Sequence, residues 1–123
     1  MTEVDKSTEH IDFKFYHNFN GHQIQNKQVE VTLYRILQEG INNIFKYSKA
    51  TKVDIQLKSY EDIYMLTIED NGIGFDAKKV VKENSGLGFK GIKNRLDAIN
   101  GFLEIESQEG RGTTLLIEIK KDF

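Results

Sequence analysis

At 123 residues the chain is long enough for one compact domain and too short for two of ordinary size. Its 38% hydrophobic and 29% charged residues are a globular balance rather than a disordered one, and with no cysteine it excludes disulfides and thiolate metal sites. A net charge of −2 provides no global attraction to nucleic acid or to an anionic membrane. No apolar run approaches the length of a membrane span and no signal peptide opens the chain, so a soluble chain is expected.

In chain order, residues 1–10 are polar and aperiodic and read as a frayed end or linker, leaving one domain over residues 11–123. Ile11, Phe13 and Phe15 alternate with Asp12, Lys14 and Tyr16, a strand pattern, and Asn18, Asn20 and Gly21 mark a loop. From about Gln28 to Tyr47 the period changes: Leu33, Ile36, Leu37, Ile41, Ile44 and Phe45 fall on one helical stripe. Val53, Ile55 and Leu57, then Tyr64, Leu66 and Ile68, alternate on either side of Tyr60-Glu61-Asp62, which predicts a hairpin. Residues 76–87 are irregular, with a weak helical run from Ala77 to Lys82. Ile92, Leu96 and Ile99 predict a second helix closed by Asn100-Gly101. Strands are expected over Phe102–Glu106 and Thr114–Ile119, joined by the turn residues between Gln108 and Gly112. This order predicts an α+β fold: a two-layer sandwich with a mixed sheet and helices packed on one face.

Two glycine clusters flank the irregular segment. Gly72-Ile73-Gly74 follows a strand, and Gly86-Leu87-Gly88-Phe89-Lys90-Gly91 precedes a helix. The second spells the dinucleotide-binding pattern, but neither lies in the parallel strand–turn–helix unit which that pattern requires, and no Gly-Lys-Ser/Thr phosphate loop is present. Glycines admit close backbone approach and present N–H groups, and a helix start at Phe89–Ile92 adds further donors. A nucleotide held between a strand end and a glycine-rich lid is the expected use, against simple turns as the alternative.

The long helix carries Glu39, Asn43, Lys46 and Tyr47 at spacings that place them on one face beside the apolar stripe, where a cleft wall would lie. Their chemistry is coherent for a nucleotide. An asparagine oxygen suits Mg²⁺ that keeps waters and phosphate ligands. A lysine neutralises phosphate charge, a glutamate orients a nucleophile or accepts a proton, and a tyrosine ring packs on a base or ribose. An ordinary solvated helix face is the competing account.

Four segments together resemble a known family. Glu39-Gly40-Ile41-Asn42-Asn43-Ile44-Phe45-Lys46-Tyr47 resembles the N box of histidine kinases. Asp70-Asn71-Gly72-Ile73-Gly74-Phe75 resembles their first glycine box, Gly86–Gly91 the second, and Gly110-Arg111-Gly112-Thr113-Thr114 the final glycine-threonine turn. The fold implied is the mainly antiparallel ATP-binding sandwich shared by gyrase, a heat-shock chaperone, histidine kinases and a mismatch-repair ATPase. Arg35 and Arg95, in their local contexts, resemble the subfamily paired with helix-turn-helix response regulators.

The resemblance implies Asn43 as the Mg²⁺ ligand and Asp70 as acceptor of the adenine amino group. It implies Gly72 and Gly74 beside the base, Lys46 near phosphate and Tyr47 near the nucleoside. Gly86, Leu87, Gly88 and Gly91 would form the lid, with Thr113 supporting the adenine end and Thr114 the alternative. Asn42 is expected behind the site or exposed, and Glu39 is expected to position Mg²⁺-bound water. The cofactors implied are ATP and Mg²⁺, and the localisation cytoplasmic, without direct membrane contact.

The family's target is a histidine followed by an acid in a helical hairpin. His10, His17 and His22 do not match it. The implied function is therefore a catalytic domain that phosphorylates a histidine on a separate dimerisation domain and so feeds a response regulator. A serine kinase of the anti-sigma type and a non-catalytic nucleotide-binding scaffold are the alternatives.

Overall fold

The computed structural model describes residues 11–19, 24, 26–74 and 89–121. The polar first ten residues, the loop at Asn20 and Gly21, the weak helical run after Ala77 and the cluster Gly86-Leu87-Gly88 lie outside them.

Strand β1 (Asp12–Asn18) is followed by helix α1 (Lys27–Asn43). Asn26 caps α1: its side-chain oxygen accepts from the N–H groups of Gln28 at 2.9 Å and Val29 at 3.2 Å. The helix widens into a π-helical turn, Ile44–Ser48, and stops at Lys49 in the left-handed region at φ 53°. The hairpin follows as β2 (Lys52–Ser59) and β3 (Ile63–Asp70). Helix α2 (Phe89–Asp97) leads to β4 (Phe102–Gln108) and β5 (Gly112–Lys120).

Asn100 takes the left-handed position after α2, at φ 54°. The Gly101 N–H reaches back to the Leu96 carbonyl at 2.7 Å and the Asn100 N–H to that of Asp97 at 3.4 Å, the two bonds of a Schellman stop. The expected Asn100-Gly101 closure is thus present, with asparagine rather than glycine in the left-handed position.

The sheet has the order β1-β2-β3-β5-β4, in which β1 runs parallel to β2 and every other pair is antiparallel. Alternate residues turn inward: Val53 and Ile55, then Tyr64, Leu66 and Ile68, then Leu115, Ile117 and Ile119. Val29, Leu33 and Ile36 of α1, Ile92 and Leu96 of α2, and Ile99 just beyond it complete one buried cluster, so both helices cover the same face. Each such side chain contributes about 2 kcal/mol relative to exposure. The two-layer, mixed, mainly antiparallel sandwich is as expected. Strand β1 differs from its neighbours in that all seven of its residues are exposed, Phe13 leaning on Phe45 with ring centroids 5.8 Å apart.

Candidate functional site

Asp70 ends β3 with its side chain turned inward, and only 8% of the residue is exposed. Burial raises the pKa of its carboxyl above the ordinary value. Three donors work against that rise: the Gly72 N–H at 2.8 Å, the Ser48 hydroxyl at 3.1 Å and the Thr113 N–H from the paired position on β5. A buried carboxylate fed by three fixed donors, with its remaining lone pairs unassigned, is built to accept a further hydrogen bond.

The chain after Asp70 is locked on both sides. Asn71 clasps the start of β2, its side-chain oxygen accepting from the Thr51 and Lys52 N–H groups at 2.9 Å each. The Ile73 N–H donates to the Ser48 carbonyl at 2.7 Å, and the Ile73 carbonyl accepts from Gly110 N–H at 2.6 Å. A methyl on Gly72 would sit 2.1 Å from the Ser48 carbonyl oxygen, and one on Gly74, at φ +65°, 2.0 Å from that of Gln108. Both glycines are therefore demanded by backbone-on-backbone packing beneath the site.

Above this floor lies a cavity of about 250 Å³ between α1, β3, β5 and the start of α2. Ile44, Ile68, Ile73, Phe89 and Leu115 form apolar walls, and Asn43, Ser48, Asp70 and Thr113 supply the polar groups. Apolar walls with a few convergent polar groups are the usual make-up of a small-molecule site.

The expected residues divide. Asn43, Asp70, Gly74 and Thr113 line the cavity, and Gly72 packs directly beneath Asp70. Thr113 faces it; Thr114, the alternative, lines the opposite side of the sheet beside Glu69 and Glu106. Lys46 is exposed and does not line the cavity. Glu39 turns toward α2, where its Oε1 accepts from Arg95 Nε at 3.0 Å while its buried Oε2 has no hydrogen-bond partner among the described residues. Gly91, expected in the lid, lies within α2, and a methyl there would sit 3.1 Å from Glu39 Oε2. Gly86, Leu87 and Gly88, like the side chain of Tyr47, are outside the described residues.

Sequence reasoning missed Ser48 and Ser107. The π-helical turn brings Ser48 round to Asp70, whereas a helix of uniform period gives no reason to single it out. Ser107 pairs with Thr113 across β4 and β5, with hydroxyls 2.8 Å apart. Its position two residues before the Glu109–Arg111 turn was the available signal.

The cavity fits a nucleotide base: its walls are apolar and its closed end offers a carboxylate. Among the described residues no group of three or more His, Asp or Glu could hold a metal. The Asn43 amide oxygen alone fits the protein share of a Mg²⁺ ion that keeps waters and phosphate ligands.

Residues 28–122 match the family of histidine kinase-, DNA gyrase B- and HSP90-like ATPases, and the chain belongs to that family. It is 43% identical over 91 residues to the sensor histidine kinase ComP of Bacillus subtilis, an alignment covering 74% of this chain and 12% of that protein. It is 37% identical over 93 residues to the histidine-protein kinase/phosphatase DegS of the same organism, covering 75% of this chain and 24% of DegS. Against the oxygen sensor histidine kinase NreB of Staphylococcus carnosus it is 31% identical over 109 residues, 89% of this chain and 31% of that one. The chain thus spans between about a tenth and a third of these relatives. In fold it resembles the Acinetobacter baumannii histidine kinase AdeS, with a TM-score of 0.77 at 19% identity over 98% of this chain and 58% of that one. A blue-light activated histidine kinase domain of Erythrobacter litoralis gives 0.68 at 16% identity, over 94% and 58%. The chain is an ATP-binding domain of the sensor-kinase type. No helix among the described residues is long and apolar enough to cross a membrane.

Proposed function

We propose that this domain binds Mg-ATP and transfers its γ-phosphoryl group to a histidine on a separate dimerisation domain, from which a response regulator is charged, in the cytoplasm. The observation that carries the reading is Asp70: a buried carboxylate, held by Gly72, Ser48 and Thr113, at the closed end of an apolar cavity in a chain of this family. Bound Mg-ATP supplies a transferable phosphoryl group, so the protein's task is positioning and charge neutralisation.

Asp70 accepts the base amino group, and Thr113 beside it steadies that end. Ile44, Ile73 and Leu115 hold the ring and exclude water. Asn43, nearer the phosphates, gives its amide oxygen to Mg²⁺. Lys46 offsets phosphate charge, and Tyr47 packs on the nucleoside. Gly86, Leu87, Gly88 and Gly91 cover the phosphates, and Glu39 orients metal-bound water. Residues 11–123 act as one catalytic unit.

The test is calorimetric titration with ATP, with and without Mg²⁺, of the wild type and Asn43→Ala, followed by addition of a histidine-bearing hairpin and radiolabelled ATP. ATP binding whose Mg²⁺-dependent part is lost in Asn43→Ala, and label on the hairpin, are the expected results. Equal loss with and without Mg²⁺ refutes the ligand role, and an unlabelled hairpin at saturating ATP refutes the transferase.

A further inference from the structure

Thr113 lines the cavity beside Asp70, and the direction in which its hydroxyl points is settled by a residue that does not touch the cavity. The Ser107 hydroxyl has one hydrogen, and it donates that hydrogen to the Gly112 carbonyl at 3.0 Å. Either hydroxyl could donate in the 2.8 Å contact between Ser107 and Thr113; with the Ser107 hydrogen on Gly112, it is Thr113 that donates. Thr113 is left with lone pairs only for the cavity. Ser48 is in the same condition, since its hydrogen goes to Asp70 at 3.1 Å. Ionised Asp70 has no hydrogen to give.

We propose that Ser107 is a specificity-determining residue: by engaging the hydrogen of Thr113 it makes the side-chain groups at the closed end of the cavity acceptors only, so that a base must present N–H donors there. The inference rests on the cavity being the adenine site and goes beyond it by assigning the selectivity to a residue outside the lining. An adenine amino group satisfies such an end. A carbonyl at the same ring position, as in hypoxanthine or guanine, sets an acceptor against three acceptors. A free threonine hydroxyl would rotate and donate to that carbonyl; the serine behind it prevents this.

Affinities for ATP and inosine triphosphate, measured by calorimetry on the wild type, Ser107→Ala, Ser107→Cys and Ser107→Thr, provide the test. The two ligands differ at the ring position in question. The wild type should prefer ATP strongly. Ser107→Ala should leave ATP affinity within about threefold while the ATP-to-inosine ratio falls about tenfold, the scale of one hydrogen bond satisfied or opposed. Ser107→Thr should restore the wild-type ratio, and Ser107→Cys, a weak donor, should fall between; it replaces the alanine variant if that one does not fold. A ratio unmoved in Ser107→Ala or Ser107→Cys, with ATP still bound, overturns the role of Ser107 and leaves the ATP site standing. A wild type that binds neither nucleotide removes the adenine site and this inference with it.

Discussion

Two places near the C-terminal end of the long helix meet the rest of the molecule in opposite ways. At its C-terminal end the π-helical turn is jammed against backbone: the Ser48 carbonyl accepts from Ile73 N–H and lies over Gly72 with no room for a methyl. One turn before that end the contact is between side chains, where Glu39 meets Gly91 and Arg95 of α2 through a carboxylate and a guanidinium, 28% and 41% exposed. Backbone cannot move aside without breaking the hydrogen bonds around it, whereas a partly hydrated ion pair can re-form a fraction of an ångström away. The floor beneath Asp70 is therefore preformed, and the seam between the helices is the adjustable contact.

Substitutions at the two places sharpen this contrast. The largest effect is expected for Gly72→Ala, whose added methyl meets the Ser48 backbone and must push the end of α1 away from β3. A loss of about 3 kcal/mol or more in chemical denaturation, at or above the top of the usual range for overpacking, is expected. A loss below about 1 kcal/mol would mean the floor yields as easily as the seam.

Next in size is Asp70→Asn. Replacing the acceptor of a charge-assisted bond should weaken ATP binding by about 2–3 kcal/mol, roughly thirty- to a hundred-and-fiftyfold in Kd by calorimetry. The same substitution reports on burial. Because the folded state raises the Asp70 pKa, chiefly by desolvation, the folded state favours the protonated form. That contribution is fully present below the unfolded carboxylate value of about 3.9 and is lost as pH rises through the raised folded value. The melting temperature of Asp70→Asn minus that of the wild type should thus grow as pH rises through this window. A flat difference would show that the three donors cancel burial, and one that shrinks as pH rises would show that they outweigh it.

Much of the floor and little of the seam is legible in the sequence. The alternation of Tyr64, Leu66 and Ile68 marks β3, and its period carries Asp70 to the inward face two residues on; local physics suffices. Thr113 rather than Thr114 needs the β3–β5 register, which pairs Thr113 with Asp70 and which hydrophobic pattern alone leaves one residue loose. Ser48 and Lys46 depend on the π-helical turn, and the apolar stripe does not announce a change of helical period. The seam joins Glu39 to Arg95 across 56 residues, and nothing in the local context of either names the other. Strand β1 shows a different limit, because alternation predicts a strand and not how deeply it is buried.

At the seam itself, Arg95→Ala removes the ionic partner of Glu39. With both side chains partly exposed, a loss of about 0.5–1 kcal/mol in thermal denaturation is expected, falling in high salt. A loss comparable to that of Gly72→Ala would move the seam into the same rigid class as the floor.

The smallest effect, and the one whose sign carries the argument, is Gly91→Ala. Alanine inside a helix is favoured over glycine by about 1 kcal/mol. Against this, the new methyl would lie 3.1 Å from Glu39 Oε2, so the carboxylate must give by a few tenths of an ångström. Among the described residues only Arg95 holds that carboxylate, through Oε1, so it can give, and a net change between zero and about 0.5 kcal/mol of stabilisation is expected. In an Arg95→Ala background the carboxylate is released and the gain should approach the full helical preference. A double-mutant cycle by denaturation reads the difference directly. If Gly91→Ala destabilises in both backgrounds, the glycine is required by close helix packing that does not depend on the ion pair, and the seam is as unyielding as the floor.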